Sequence, residues 1–374
     1  MLFVYYNIGG KNIMLKNLNF FRIWFTITIL YGHIMQHFLI PMFPDLPAII
    51  YIKNHISYAF GYMCDMFFII SGFFLFFSFF KDSNFKNFII KKVARLSPVL
   101  LFSLFGFMIL SPFIENIHFY KYQNILSVFF IRSSFITNIE TNNGAAWYIN
   151  VMFWGYIFYY SLFNSIPKEK RKYITAIIVF IMYSILINKQ NLYDQPQFIL
   201  DGILTIPMIR ALAGMGLGYI IAEFYNSSNC QNSKSIFSKI GYTIIEIITI
   251  IFLFKFSIIK PLSYSFPILT ILFIIIFYCF LTKKGYISRF LDNNVVFQLG
   301  KYCFSIYMMQ DFCFQLLNKF LWNNIHFGII EHPIFNILAG ILFCIIVGII
   351  TYYIIEEPCK RLILAKLAKS HQKI

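Results

Sequence analysis

NFFRIWFTITILYGHIMQHFLI, residues Asn19 to Ile40, is an almost unbroken apolar run that nevertheless carries an arginine and histidines. About 20 residues at ~1.5 Å rise cross a ~30 Å hydrocarbon core, so the run is long enough to span a bilayer as a helix. An ionisable group inside such a helix costs about 2.5 to 3.5 kcal/mol on insertion scales. Arg22 and His33 are therefore expected to be held by partners or kept for a function. His37 lies one turn beyond His33, but no third ligand has a suitable spacing, and no metal is expected.

The remainder of the chain repeats this chemistry. Its 374 residues are 59% hydrophobic, 21% aromatic and only 12% charged, which excludes the soluble globular class and predicts an all-α, polytopic membrane helix bundle. Besides the first run, apolar stretches lie at about Ser57 to Phe80, Val93 to Ile114, Ala146 to Phe163, Tyr173 to Ile187, Phe198 to Tyr225, Ile240 to Ile259, Leu262 to Leu281, Tyr302 to Trp322 and Ile334 to Ile355. Ten spans are expected. The shortest, Tyr173 to Ile187, also reads as an extension of a tilted neighbour or as a re-entrant piece.

The net charge of +16 follows topology rather than one face or arm, so nucleic acid is excluded as a partner. With the N-terminus inside, 22 of the 31 Lys and Arg residues fall on inner loops, 6 on outer loops, and Arg22, Arg210 and Lys319 within spans. That asymmetry places both termini in the cytoplasm and the protein in the inner, cytoplasmic membrane. An integral-membrane domain over 14–364 is expected, with a short cytoplasmic extension at 1–13 and a basic cytoplasmic tail at 365–374. The opening residues show no basic region followed by an apolar core, so no cleavable leader is expected, and Met14 is an alternative start. The seven cysteines show no metal spacing and read as small buried apolar residues.

Several residues stand out along the chain. Lys92 and Arg95, three apart ahead of Pro98, share a helix face and suit either a solvated inner loop or a phosphate site. The outer loop from Glu115 to Ala145 contains the apolar patch ILSVFF and predicts a re-entrant or interfacial helix. Trp147 follows the turn signal NNGAA, and Arg210 sits beside Gly214, Gly216 and Gly218 in mid-span. Ser305, Tyr307 and Gln310 lie within a late span, and Pro358 is expected to stop the last one.

Depth then pairs some of these groups. His33 and Asp65 both lie about 10 to 12 Å below the outer surface, so they can meet, and a carboxylate beside an imidazole holds one tautomer for proton transfer. Arg22, Lys92 and Arg95 share a depth at the inner face, where they suit a polyanionic nucleotide thioester. The alternatives are a satisfied buried His–Asp pair with no chemistry and, for Lys92 and Arg95, a solvated inner loop.

The chain resembles the membrane acyltransferase family 3, whose members O-acylate polysaccharides, lipopolysaccharides and related envelope glycans. The resemblance rests on Arg22 and His33, on GYMCDMFFIISGF at Gly61 to Phe73, on the basic pair before Pro98, on WYINVMFWGYIFYY from Trp147, on SIYMMQ from Ser305, and on Glu356 with Pro358. It implies an acyl-CoA donor, most simply acetyl-CoA, and a glycan or glycolipid hydroxyl as acceptor, with membrane lipid and polysaccharide biosynthesis proteins as surroundings. It makes His33 catalytic, as general base or as nucleophile, with Asp65 orienting it and Arg22, Lys92 and Arg95 binding the donor. Ser71, Trp147, Arg210, Tyr307 and Gln310 become substrate or oxyanion residues. The chain departs from the family pattern where Lys92 replaces the first arginine of R-x-x-R, where Met152 and Phe153 stand in place of a glutamate, and where Gln310 stands for histidine. A glycan exporter or flippase whose buried charges line a path is the rival reading, and a structural partner of a polysaccharide synthase is a third.

Overall fold

The computed structural model describes residues 6–8, 11–13, 15–36, 47, 61–81, 84–113, 121–135, 141–188, 198–200, 204–227, 236–258, 265–318 and 333–371. Among them the chain is helical, apart from two short antiparallel strand pairs, β1 (Tyr6–Ile8) with β2 (Lys11–Ile13) and β3 (Phe198–Leu200) with β4 (Leu204–Thr205). The helices are α1 (Asn19–Ile34), α2 (Tyr62–Lys81), α3 (Phe85–Leu110), α4 (Lys121–Val128), α5 (Ala146–Ser165), α6 (Lys168–Asn188), α7 (Ile206–Ser227) and α8 (Ile236–Ile258). They continue with α9 (Ser265–Thr282), α10 (Tyr286–Phe290), α11 (Asn294–Leu299), α12 (Cys303–Leu317), α13 (Pro333–Thr351) and α14 (Glu357–His371).

Six helices among the described residues are long and apolar enough to cross a membrane: Tyr62–Lys81, Phe85–Phe113, Lys168–Asn188, Ile206–Ser227, Phe237–Phe256 and Phe335–Lys369. Phe266–Thr282 is apolar but shorter. The stretch at Tyr173 to Ile187, short by sequence, belongs to the full-length helix α6, because its basic first turn lengthens it beyond the apolar run. The first four residues of the apolar patch, Ile125 to Val128, fall in the short helix α4. His37 lies outside the described residues.

Two expectations change. The third apolar stretch starts a helix at Phe85, where Asn84 Oδ1 accepts from the Lys86 amide at 2.8 Å, so Lys92 and Arg95 sit inside α3 rather than at its start. Pro358 does not end the last helix. A π-helical segment, Tyr352–Glu356, joins α13 to α14, and Pro358 occupies the first turn of α14. The wide π turn accommodates a ring that would otherwise press on the carbonyl four residues back, and a first-turn proline lacks only an amide that needs no helical partner.

The chain divides into two compact units. The first comprises Met1–Phe77, Glu169–Leu192 and Leu212–Cys303, and the second Ser78–Lys168, Tyr193–Ala211 and Phe304–Ile374. The core of the first is aromatic. Phe21 lies 5.3 Å from Phe273 and 4.6 Å from Phe280 of α9, and Phe73 of α2 meets Phe277 edge-on at 5.3 Å. Here α2 and α7 approach backbone to backbone at glycines: a Cβ on Gly72 would lie 1.9 Å from the Met215 carbonyl oxygen, and one on Gly218 would lie 2.0 Å from that of Ile69. In the second unit Phe88 packs on Tyr160 at 4.5 Å, and Phe107 meets Phe312 at 5.7 Å, with Gly106 making room for the latter ring.

Candidate active site

The first unit holds Arg22, His33, Asp65 and Ser71. The Phe25 ring lies 5.6 Å from Phe67, and the Arg22 guanidinium carbon lies 5.2 Å from the Phe74 ring centre, so α1 and α2 run antiparallel. The last turn of α1, with His33, and the first turn of α2, with Asp65, therefore lie at the same end of the unit. His33 is half-buried with its Nδ1 shielded from solvent. Asp65 is buried in a first turn, where the helix dipole favours a carboxylate, and Gly214 of α7 packs against its carbonyl oxygen. Ser71 is half-buried beside Gly72, further along α2.

At the other end of α1, Arg22 is buried and donates to Asn19 Oδ1 at 3.2 Å. Asn19 in turn donates to the Lys16 carbonyl at 3.0 Å, and Gly300 gives it space, since a Cβ there would lie 2.4 Å from Asn19 Cβ. Asn19 thus aims the arginine. The sequence signal for this is a polar residue one helical turn before a buried cation.

The second unit holds Lys92, Arg95, Trp147, Arg210, Tyr307 and Gln310. On α3, Lys92 places its ammonium 4.1 Å from the Tyr156 ring centre and 4.8 Å from that of Phe88, an aromatic box that holds a cation without neutralising it. Arg95 is exposed. α3 packs against α14 and the π segment, which brings Glu356, Lys360 and Arg361 to the same region. Glu356 is buried and accepts from Ser305 Oγ at 2.6 Å, while Glu357 pairs with Lys360 and, at 2.8 Å, with Arg361. The buried Lys360 is a further candidate anion-binding residue, which the sequence shows only as one of the 22 inner-side cations.

The outer loop builds the remaining part of this unit. Thr205 caps α7 by accepting from the Met208 amide at 3.1 Å and donates to the Ser133 carbonyl at 2.6 Å. One turn into α7, the Arg210 guanidinium carbon stands 5.1 Å from the Trp147 ring centre. Tyr148 packs edge-on against Tyr307 at 5.7 Å, and the Tyr307 hydroxyl donates to the Ala145 carbonyl at 3.3 Å. Arg132 donates to the Asn143 and Gly144 carbonyls at 3.2 and 3.3 Å, and its own carbonyl accepts from Asn150 at 3.1 Å. Burial pulls the Arg132 guanidinium below its ordinary range, and the charge of Asp311 opposes that shift. Asp311 Oδ2 also accepts from the Ala145 amide at 3.1 Å, and Gly144 lets it approach.

Three buried amides in this unit are incompletely satisfied. Gln310 finds no hydrogen-bond partner among the described residues for either its Oε1 or its Nε2, and the Oδ1 atoms of Asn143 and Asn150 likewise find none. Buried polar atoms of this kind are costly unless a polar ligand or water meets them. The structure thus gathers Lys92 with Arg95, and Trp147 with Arg210 and Tyr307, within the second unit. It gathers Arg22, His33, Asp65 and Ser71 within the first.

Long apolar helices that carry buried ionisable side chains define an integral membrane protein. More particularly, the chain belongs to acyltransferase family 3: the family model Acyl_transf_3, an acyltransferase domain, matches residues 15–353. The protein is accordingly a membrane acyltransferase. Comparison with curated proteins and with solved structures finds no match.

Proposed function

We propose that the protein is a multi-pass O-acyltransferase of the inner membrane, moving an acyl group, most simply acetyl, from cytoplasmic acyl-CoA to a hydroxyl of an envelope or extracellular glycan. The observation that carries this reading is the placement of His33 and Asp65 at one end of antiparallel neighbours, in a chain of this family. His33 takes the proton of the acceptor hydroxyl, the freed oxygen bonds to the thioester carbonyl carbon, the C–S bond breaks, and the proton passes from the imidazolium to the departing thiolate. Asp65 orients the imidazole and stabilises its charged form.

Arg22 in the first unit and, separately, Lys92 and Arg95 in the second, with Lys360 and Arg361 as additions from α14, are the cations suited to the phosphates of the donor. The ring of Trp147, the Arg210 guanidinium, the Tyr307 hydroxyl and the buried amides of Gln310, Asn143 and Asn150 suit a hydroxyl-rich acceptor, which offers both C–H faces and hydrogen-bonding groups. Ser71 and Tyr307 are hydroxyl donors for a developing oxyanion.

Substitution at His33 tests the mechanism. His33→Gln keeps hydrogen-bonding capacity but cannot accept a proton near neutral pH, so turnover by purified, reconstituted protein should fall by at least about a hundredfold. Melting temperature and donor affinity should stay close to wild type. A folded His33→Gln protein that acylates glycan at a near-normal rate would remove the mechanism and favour the exporter reading.

A further inference from the structure

Between α9 and α12, the short helices α10 and α11 form an elbow at the end of the first unit where α1 begins. Its inward side is pinned to two other segments, α8 and the residues just before α1. Glu246 of α8 accepts from the Ile287 and Ser288 amides at 3.1 and 3.4 Å, and Thr243 Oγ1 accepts from the Tyr286 amide at 2.9 Å. Asn17 donates to the Phe280 and Ser288 carbonyls at 2.7 and 3.2 Å. Asp292 Oδ1 accepts from the Lys16 and Asn17 amides at 3.1 and 3.3 Å, and its Oδ2 pairs with Lys283 at 2.6 Å. Gly285 closes the joint, since a Cβ there would lie 2.1 Å from Glu246 Oε2.

A segment held this firmly presents a fixed outward side, on which Asn294 and Gln298 are the exposed polar residues and the rest is largely apolar. Tyr286 is 50% exposed, Phe290 78%, Val295 67% and Leu299 47%, and Phe237 at the start of α8, which packs on α10, is 88% exposed. Around these groups, residues 283–301 carry the cations Lys283, Lys284, Arg289 and Lys301 against the single acid Asp292. Apolar residues ringed by cations beside a spanning helix are the composition of a segment lying in the membrane interface.

We propose that this elbow is an in-plane docking surface for anionic phospholipids of the inner leaflet. Acyl chains lie against Phe290, Val295 and Leu299, and headgroup phosphates lie at Lys284, Arg289 and Lys301. The charge balance of the segment chooses anionic over zwitterionic lipid, and the pinning to α8 and to the start of α1 transmits that contact to the first unit. The proposal does not depend on the acyl-transfer reading.

Native mass spectrometry of the full chain, released from nanodiscs containing equal phosphatidylglycerol and phosphatidylcholine, reads it directly. Wild type should retain phosphatidylglycerol in at least about fivefold excess. The pair Lys284→Gln with Lys301→Gln should bring the ratio near parity, since each basic residue near a charged surface contributes roughly fivefold. Lys284→Arg with Lys301→Arg should restore the preference, which separates charge from a folding defect. Phe290→Gln with Leu299→Gln should lower the number of retained lipids of both kinds. Equal retention of the two lipids by wild type overturns the proposal. So does an equal loss of preference in Lys170→Gln with Lys172→Gln, exposed or half-exposed cations at the start of α6.

Discussion

Gly218 fixes how close two helices of the first unit can come. An alanine Cβ there would lie 2.0 Å from the Ile69 carbonyl oxygen and 2.6 Å from the Phe73 amide nitrogen, so the obstacle is backbone and cannot rotate away. Overpacking of this kind costs about 1 to 3 kcal/mol even where neighbours relax. Gly241 of α8, by contrast, has open space where its Cβ would be. Gly218→Ala should therefore lower the thermal midpoint of the detergent-solubilised protein clearly. Gly241→Ala should hold or raise it, since alanine is favoured over glycine in a helix by about 0.5 to 1 kcal/mol. Equal midpoints for the two variants would show that the α2–α7 contact is slack. The same contact bears on the site, because the neighbouring Gly214 lies against the Asp65 carbonyl and fixes the first turn of α2.

Among the elements, the π segment of the last helix connects most directly to the candidate site. It packs on α3, which carries Lys92 and Arg95, and presents Glu356 to Ser305 of α12, which also carries Tyr307 and Gln310. Removing the hydroxyl with Ser305→Ala leaves a buried carboxylate oxygen without its partner, at a cost of about 1 to 3 kcal/mol. Ser305→Thr keeps the donor. The expected order of thermal midpoints is wild type, then Thr, then Ala. A Ser305→Ala protein as stable as wild type would mean that Glu356 finds another donor. Apolar runs announce the helices because hydropathy is a local property, whereas a proline at 358 predicts a helix end and a π turn carries the chain past it. The elbow of α10 and α11 was hidden in the same way, as a mixed basic loop whose pinning groups, Asn17, Thr243 and Glu246, are remote in sequence.

At the scale of the whole molecule, the division into two units was not legible, because it interleaves segments from across the chain. The residue types of the candidate site stand out in the sequence, since Arg22, His33, Asp65 and Arg210 are conspicuous against apolar surroundings. Asn19, one turn before Arg22, was within reach of the sequence; Thr205, which caps the helix carrying Arg210, and Asp311, which holds the Ala145 amide, were not, because Ser133 and Ala145 are remote from them in sequence. The remaining whole-molecule question is how many helices cross the bilayer, and α5 is the element that tests it. Its 20 residues are tyrosine-rich and it is not among the six long apolar helices, yet at ~1.5 Å per residue it covers the ~30 Å hydrocarbon core. If it crosses, the loop before it and the basic loop after it lie on opposite sides, and the excess of Lys and Arg puts the latter in the cytoplasm. Single cysteines placed at Tyr122, an exposed position on α4, and at Lys170, at the start of α6, distinguish the arrangements. In intact cells an impermeant maleimide should label Tyr122→Cys, whereas Lys170→Cys should react only after permeabilisation. Labelling of both from outside would mean that α5 lies along the membrane rather than through it. The reverse pattern would keep α5 as a span but invert its orientation, and the proposal that Lys92 and Arg95 meet a cytoplasmic donor would fall with it.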